Sequence, residues 1–401
     1  MKIAILHSAA AGFFPRFYGL LHNAITEEGE SCRLFLPNIR TNRASALPDS
    51  VVWGTRFNTV IHKWLYRMTG IQDVFSVFDT GCLIRQLKLY NPDIIHCHII
   101  NDHCLNIRML RSYANRHDIP VVWTMHDCRA VTGRCAYFDE IGCERWKTGC
   151  GKCPQKVLYS PTFLDNSHLE WIIRKRVLTG FKSLTIVTPS NWLADIISNS
   201  YLKEYETVVI NNGIDIQTFS DHASFDDKNP DKRKIVLGVA HAWEARKGLD
   251  LFIRLSHDLP DSYRVMLVGH LPYTIENITS VAPTSSAGEL ASIYAGASVF
   301  VNPTIADNFP TTNLESLASG TPVVTFQTGG SPESIDDTCG IAVKKNDYDA
   351  LKKAIEHVAD NRNCYTSESC RKRAALFSQE QYRLYVQLFR RILKDKGQSA
   401  L

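Results

Sequence analysis

The chain carries a set of short apolar runs, VVIN, KIVLGVA, VMLVG, VFVNP and PVVTF, that are continuous rather than alternating. A strand with one wet face alternates apolar and polar side chains, whereas a strand covered on both faces reads as an unbroken aliphatic run. Stretches of helical periodicity separate these runs, so the pattern predicts βα units wound into parallel sheets. In the first half the expected strands are Lys2–His7, Cys32–Leu36, Asp93–His98, Val121–His126 and Leu184–Thr188. The second half restarts the rhythm at Lys234–Val239, Arg264–Val268, Ser298–Asn302, Pro322–Phe326 and Gly340–Val343. A chain of 401 residues has room for two such domains at roughly 100–200 residues each. The polar segment 217–234 between them reads as a linker. Phe377, Tyr382, Tyr385, Val386, Phe389, Ile392 and Leu393 fall at three- and four-residue spacing, which predicts an amphipathic last helix. The expected domains are therefore 1–208, 209–376 and a terminal helix over 377–401.

Composition excludes several function classes. With 45 basic against 41 acidic residues, the net charge of +4 lacks the strong basic excess of a nucleic-acid binder. No apolar run reaches the length of about 18 residues that a spanning helix needs. The first apolar stretch is broken by His7 and Ser8, so it reads as a buried strand rather than a signal sequence, and a cytoplasmic location is expected.

Two stretches in the second half carry chemistry. In VFVNPTIADNFPTTNLESLASGTPVVTF a strand ends at Asn302–Pro303, and a loop follows with Asp307, Asn308, Phe309 and Pro310. A helix then begins near Thr311 and Thr312 and carries Glu315 in its first turns. Amides at a helix start have no intrahelical partner and suit a phosphate or sugar oxygen. Upstream, LGVAHAWEARKGLDLFI places Arg246, Lys247 and Gly248 between a strand and a helix.

Taken together, these residues resemble the retaining glycosyltransferases of family 4 (glycosyl transferases group 1), which carry two acids with seven residues between them. This chain has Asp307 where the family usually has Glu, and Glu315 matches the second acid. The resemblance implies that Glu315 holds the ribose hydroxyls of a nucleotide, while Asp307, or the amides at Asn308–Phe309, meets the donor sugar. Pro310, Thr311 and Thr312 would complete the donor site. The family usually has an Arg five residues before the Lys. Here that position is Ala242, so Lys247 is expected to clamp the diphosphate with Arg246 as its substitute. Asn211–Asp215, the helix containing Glu289 and Tyr294, and Thr328–Gly330 follow the family in order and spacing.

In the first half, the turn Ser8–Gly12 stands where the family has a glycine-rich loop, and only Gly12 permits close backbone approach. His126, at the end of its strand, matches a histidine that contacts the donor sugar in related enzymes. Asp127 would orient it or bind an acceptor hydroxyl. His96 and His98 share a strand face, and His98 is a candidate acceptor contact. Cys135, Cys143, Cys150 and Cys153, with a final Cys-x-x-Cys, resemble the cysteine-rich insertion of some bacterial polysaccharide enzymes. Four thiolates would complete a closed structural zinc site. Free or redox-active thiols and disulfides are the other readings, with Cys128 an alternate ligand. Arg56, Phe57, His62, Lys63, Trp64, Tyr66, Arg67, Trp171, Arg174, Lys175 and Arg176 form basic and aromatic clusters suited to an anionic leaflet.

The resemblance implies the α/β GT-B fold: two doubly wound Rossmann-like domains facing across a cleft, with the last helix crossing back to the first. The first domain would bind a glycan or polyprenyl-linked acceptor and the second a UDP- or GDP-sugar. Hexose transfer with retention would need no cofactor. The setting would be cell-surface polysaccharide synthesis, peripheral on the inner face of the plasma membrane, with no nucleic acid involved. The alternatives are a non-enzymatic binding protein that uses the cysteine insertion to recognise a partner, and a GT-B epimerase or phosphorylase.

Overall fold

Four of the five continuous apolar runs become largely buried strands, while VVIN falls on a partly exposed edge strand. The computed structural model describes residues 1–399 except 11, 40–41, 43–46, 73, 101–102, 160, 221–231 and 285. Among the described residues the chain separates into two compact units, Met1–Ile210 with Tyr382–Leu401, and Asn211–Gln381.

The first unit holds seven strands, β1 (Lys2–Leu6), β2 (Ser31–Pro37), β3 (Ser50–Trp53), β4 (Ile94–Cys97), β5 (Val121–Thr124), β6 (Leu184–Thr188) and β7 (Glu206–Val209). They form one parallel sheet in the order β3-β2-β1-β4-β5-β6-β7. Its helices are α1 (Phe14–Glu27), α2 (Arg56–Thr69), α3 (Val77–Tyr90), α4 (Ile107–Arg116), α5 (Ser167–Leu178) and α6 (Asn191–Ser198). The second unit has β8 (Lys234–Ala242), β9 (Tyr263–His270), β10 (Ile278–Val281), β11 (Val299–Asn302), β12 (Val323–Phe326) and β13 (Gly340–Val343). Their order is β10-β9-β8-β11-β12-β13, again all parallel. Helices α7 (Ile216–Ser220), α8 (Leu249–Asp258), α9 (Ala287–Ala295), α10 (Thr311–Ala318), α11 (Tyr348–Asp360) and α12 (Ser367–Ala375) accompany it.

In each sheet the order reverses once, between β1 and β4 in the first and between β8 and β11 in the second. At such a point the chain leaves adjacent strands in opposite directions and opens a crevice at their carboxyl ends. Both sites described below lie at these reversals.

The last helix, α13 (Gln381–Ser399), belongs to the first unit from Tyr382 onward. As its periodicity predicts, it buries Tyr382, Tyr385, Val386, Leu388 and Phe389 in the core that also contains Phe14, Phe17 and Leu21 of α1. Phe17 meets Tyr382 edge-on at 5.0 Å between centroids. At the rim, Arg390 reaches Glu28 at 2.8 Å and Glu30 at 3.0 Å. These exposed pairs set register more than they stabilise.

Two strands escape the sequence pattern. β3 and β10 are four-residue edge strands, SVVW and ITSV, and both are partly exposed. An edge strand covered less completely does not need an unbroken apolar run. The expected linker 217–234 is also partly structured. Helix α7 occupies its start and buries Phe219, β8 takes its last residue, and 221–231 lie outside the described residues.

Candidate active site

The reversal in the second sheet brings together two loops that are 60 residues apart in sequence, one after β8 and one after β11. The first turns through a short 3-10 helix, Ala245–Lys247, and ends at Gly248 with φ +78°. A Cβ on Gly248 would lie 2.7 Å from Pro303 Cγ, so glycine permits both the left-handed turn and the close approach. The loop after β11 is pinned along its length. Ile305 donates its amide to Arg246 O at 3.0 Å, and the Arg246 guanidinium donates to Ala306 O at 2.8 Å. From the far side, a Cβ on Gly329 would stand 1.7 Å from Asp307 O, and the Gly330 amide donates to Asn308 O at 2.9 Å.

That framing sets Lys247 Nζ 2.8 Å from Asp307 Oδ2, with both side chains partly exposed. Arg246 is engaged with Ala306 O and, at 2.9 Å, with Glu244. Helix α10 starts immediately after Pro310, and no side chain caps its first turn. Thr311 and Thr312 precede Glu315 by four and three residues, which puts all three on neighbouring positions of one helix face. Glu315 is buried, and Tyr294 of α9 donates its hydroxyl to Oε2 at 3.3 Å. Asn308, Phe309 and Pro310 are buried, and the Phe309 carbonyl accepts from Asn212 Nδ2 at 3.1 Å. Phe309 therefore offers backbone rather than ring at the loop.

Beneath α10 lies a polar network that the sequence motif does not announce. Asn302 Nδ2 donates to Asn313 Oδ1 at 2.8 Å, and Asn313 Nδ2 donates to Ser331 and Ser334 at 3.0 and 2.9 Å. All four residues are buried. Such a satisfied network fixes the angle of the helix. Asn302 closes the apolar run VFVN, and that placement is the signal that could have found it; Asn313, Ser331 and Ser334 stand beside no apolar run and carry no such signal.

In the first unit the carboxyl ends of β1, β4 and β5 gather four histidines. His98 Nδ1 and His126 Nε2 are 3.0 Å apart, and the rings of His7 and His98 lie 6.1 Å apart. His96 Nε2 and Thr124 Oγ1 are hydrogen-bonded at 2.8 Å, and Thr124 in turn donates to Tyr385 of α13 at 3.3 Å. Burial alone holds His126 down at about 3, and burial followed by the His126 charge does the same for His96. His7 and His98 also lie well below the ordinary value, burial again being the first cause. These rings are neutral at physiological pH. Asp127 caps the turn at Cys128–Ala130 through the Arg129 amide at 2.9 Å and pairs with the Arg129 side chain at 3.5 Å. His98, Asp127 and His126 line a small depression with Trp123 and Met125. Gly12 sits in the turn before α1 at φ +66°, with open space where a Cβ would be.

The cysteine insertion is held by buried arginines. Arg174 donates to Arg129 O and Thr132 O, and Arg134 donates to Thr162 and Tyr66. All twelve cysteines are free thiols. Burial first, and the neighbouring thiols of the insertion second, push Cys135 up to about 12. Cys150 stands at about 11, with burial the main cause and Cys143 and Cys153 among its neighbours. Cys153 is raised as well, again chiefly by burial, and Cys128 is buried. Among the described residues, no three His, Cys, Asp or Glu side chains are gathered closely enough to hold a metal ion. The thiols feel one another without forming a ligand set.

The basic and aromatic clusters expected on the surface are partly wrong. His62, Tyr66, Trp171 and Arg174 are buried, because each satisfies a polar atom or packs inside the first unit. Arg56, Phe57, Lys63, Trp64, Arg67, Lys175 and Arg176 are exposed.

With this geometry in view, the likeness to known proteins is decisive. A model described as Glycosyltransferase Family 4 matches residues 21–218, and one described as Glycosyl transferases group 1 matches residues 220–377. The chain belongs to the family 4, group 1 glycosyltransferases. Members of this family take their sugar from a nucleotide, and the chain is accordingly a glycosyltransferase that uses a nucleotide-sugar donor. A relative from Escherichia coli (strain K12), WcaC, named for glycosyl transfer in colanic acid biosynthesis, is 28% identical over 316 residues, 75% of each chain. Among solved structures, a sucrose-phosphate synthase from Thermosynechococcus elongatus superposes with a TM-score of 0.71 at 17% identity, covering 98% of this chain and 100% of the other. HepE of Anabaena, solved with UDP, gives 0.67 at 12% identity over 100% of both chains. These likenesses establish the GT-B fold. Among the described residues no helix is long and apolar enough to cross a membrane.

Proposed function

We propose that the protein transfers a hexose, with retention of configuration, from a nucleoside-diphosphate sugar to a glycan or polyprenyl-linked acceptor during cell-surface polysaccharide synthesis. The observation that carries this reading is the Lys247–Asp307 pair at 2.8 Å, at the strand reversal and on the loop that leads into the uncapped start of α10. As the sugar leaves, negative charge grows on the diphosphate. An ammonium and helix-start amides fixed there act on that developing charge, which lowers the barrier rather than merely tightening binding. Glu315, buried and oriented by the Tyr294 hydroxyl, is assigned to the ribose hydroxyls, which its carboxylate oxygens can accept from. Asp307 and the Asn308–Phe309 amides are assigned to the donor sugar, with Pro310, Thr311 and Thr312 beside the phosphates. Arg246 positions this loop by holding Ala306 O. In the first unit, His126, His98 and Asp127 are assigned to substrate hydroxyls, and Gly12 keeps backbone open to substrate.

None of the assigned groups is placed as an enzymic nucleophile, so front-face attack guided by the leaving phosphate is the proposed course. WcaC supports the polysaccharide setting, and the HepE structure with UDP-glucose makes UDP-sugars the first donors to try. The proposed location is cytoplasmic, peripheral on the inner face of the membrane. A structural zinc at Cys135, Cys143, Cys150 and Cys153 would require the sulfurs to draw closer than they stand. It would stiffen the insertion without entering the chemistry.

The test is a screen of UDP-, GDP- and ADP-sugars with and without polyprenyl-linked acceptors, followed by anomer analysis. One base should be turned over, with product configuration matching the donor. No turnover with any donor, or a rearranged sugar released without acceptor, would overturn the reading. Elemental analysis of the same preparation should find one zinc per chain, and a folded, metal-free protein ends the zinc proposal.

A further inference from the structure

Helix α2 is inside out. An amphipathic helix on a soluble domain turns its apolar stripe to the core and its polar side to water. Along α2, at about 100° per residue, Val60, Trp64, Phe57, Met68, Ile61 and Leu65 fall on one continuous arc, and all six are exposed. Phe57 is 73% exposed and Trp64 63%. The opposite side is the buried one and is held by polar contacts. His62 bonds Gln72 O at 2.7 Å, and Tyr66 accepts from Arg134 at 3.3 Å. Arg56, Lys63 and Arg67 form a basic stripe along one edge of the apolar arc, and the helix contains no acidic residue.

The patch continues past both helix ends on segments tied to α2. At its start, Thr55 N and Asn58 Nδ2 both donate to Asp79 Oδ1 at 3.0 Å, which anchors the first turn of α3, where Val77 and Phe78 are exposed. At its end, the Phe163 amide donates to Arg67 O at 2.9 Å, and Asn166 Nδ2 donates to Thr69 O at 2.7 Å. Phe163 and Leu164 are exposed there as well. Three segments joined by hydrogen bonds thus present large apolar side chains. A contiguous patch of this kind marks an interaction surface rather than scattered surface hydrophobes.

We propose that this face is a membrane-docking surface, with α2 lying in the plane of an anionic bilayer, its apolar arc among the acyl chains and its basic edge at the headgroups. Charge selects this occupant. Arg56, Lys63 and Arg67 complement acidic phospholipids, whereas a second copy would bring the same three cations against themselves. An aromatic and aliphatic face beside a basic edge is the composition of an interfacial helix. The purpose of this surface rests on the proposed polyprenyl-linked acceptor, but its chemistry does not.

The test is flotation of the full chain with phosphatidylcholine vesicles, with and without a third of the lipid replaced by phosphatidylglycerol. Binding should need phosphatidylglycerol, weaken in high salt, and blue-shift the emission of Trp64. Two variants, Phe57→Ser/Trp64→Ser/Met68→Ser and Lys63→Glu/Arg67→Glu, should each lose affinity on the order of tenfold or more. These side chains are exposed, so both variants should melt like the parent and release nucleotide from the donor at the parental rate. Absent binding by the parent, undiminished binding by the variants, or a dimer that the triple variant dissolves would each overturn the proposal. If phosphatidylglycerol binding holds while no lipid-linked acceptor is glycosylated, the docking surface stands and the acceptor reading falls.

Discussion

Lys247 and Asp307 show how one short contact can matter little to folding and much to turnover. Their side chains are 26% and 17% exposed, so water screens the pair. A contribution to stability of about 1 kcal/mol or less is expected. Against a departing diphosphate the same ammonium acts on charge that grows along the reaction. Removal of one such donor costs about 10²–10³ in turnover. Lys247→Ala should therefore lower kcat by that factor while leaving the thermal midpoint nearly unmoved. Steady-state rates beside a melting curve check it, and near-normal turnover would take Lys247 out of the mechanism. Asp is one methylene shorter than Glu, and the structure uses the short acid to meet Lys247 directly. The motif names both residues. It does not tell that they pair, because a contact across 60 residues depends on strand order.

At the scale of elements, strands buried on both faces are legible because solvent exclusion demands unbroken apolar runs, whereas the edge strands β3 and β10 carry no such demand. The histidines at the ends of β4 and β5 are visible in the sequence as candidates. Their mutual contact, and the inclusion of His7, are not visible, since they follow from parallel register. That gathering has a pH consequence. Burial keeps the rings neutral in the folded chain, while the unfolded chain takes up protons below about pH 6.5. Stability from this source is thus complete above that pH. It declines as pH falls toward the depressed folded values, about 3 for His96 and His126. Each ring contributes up to about 1.4 kcal/mol per pH unit. His96→Gln keeps a donor for Thr124 but cannot titrate, so it should flatten the slope of unfolding free energy between about pH 6 and 4 by one ring's share. Denaturant titrations across that range measure it, and an unchanged slope would mean that His96 titrates normally.

At the scale of the molecule, α13 closes the first unit from the far end of the chain. It buries five large side chains, Tyr382, Tyr385, Val386, Leu388 and Phe389. At about 1.5–3 kcal/mol each, their loss rivals the 5–15 kcal/mol that typically holds a whole domain together. A chain stopped at Gln381 should therefore keep a folded second unit and lose the first. Hydrogen exchange would show this as lost protection across Met1–Ile210 alone, and retained protection there would show that the unit closes without its last helix. The amphipathic spacing makes this helix legible. Its partner is not, because periodicity says which side is greasy and not what it covers.

The same arrangement imposes an order on biosynthesis. The strands that leave the ribosome first wait, one flank of their layer bare, through the translation of the 171 residues from Asn211 to Gln381. The half of the enzyme made first is the half completed last. During that interval its aromatic floor is what a chaperone would find to hold.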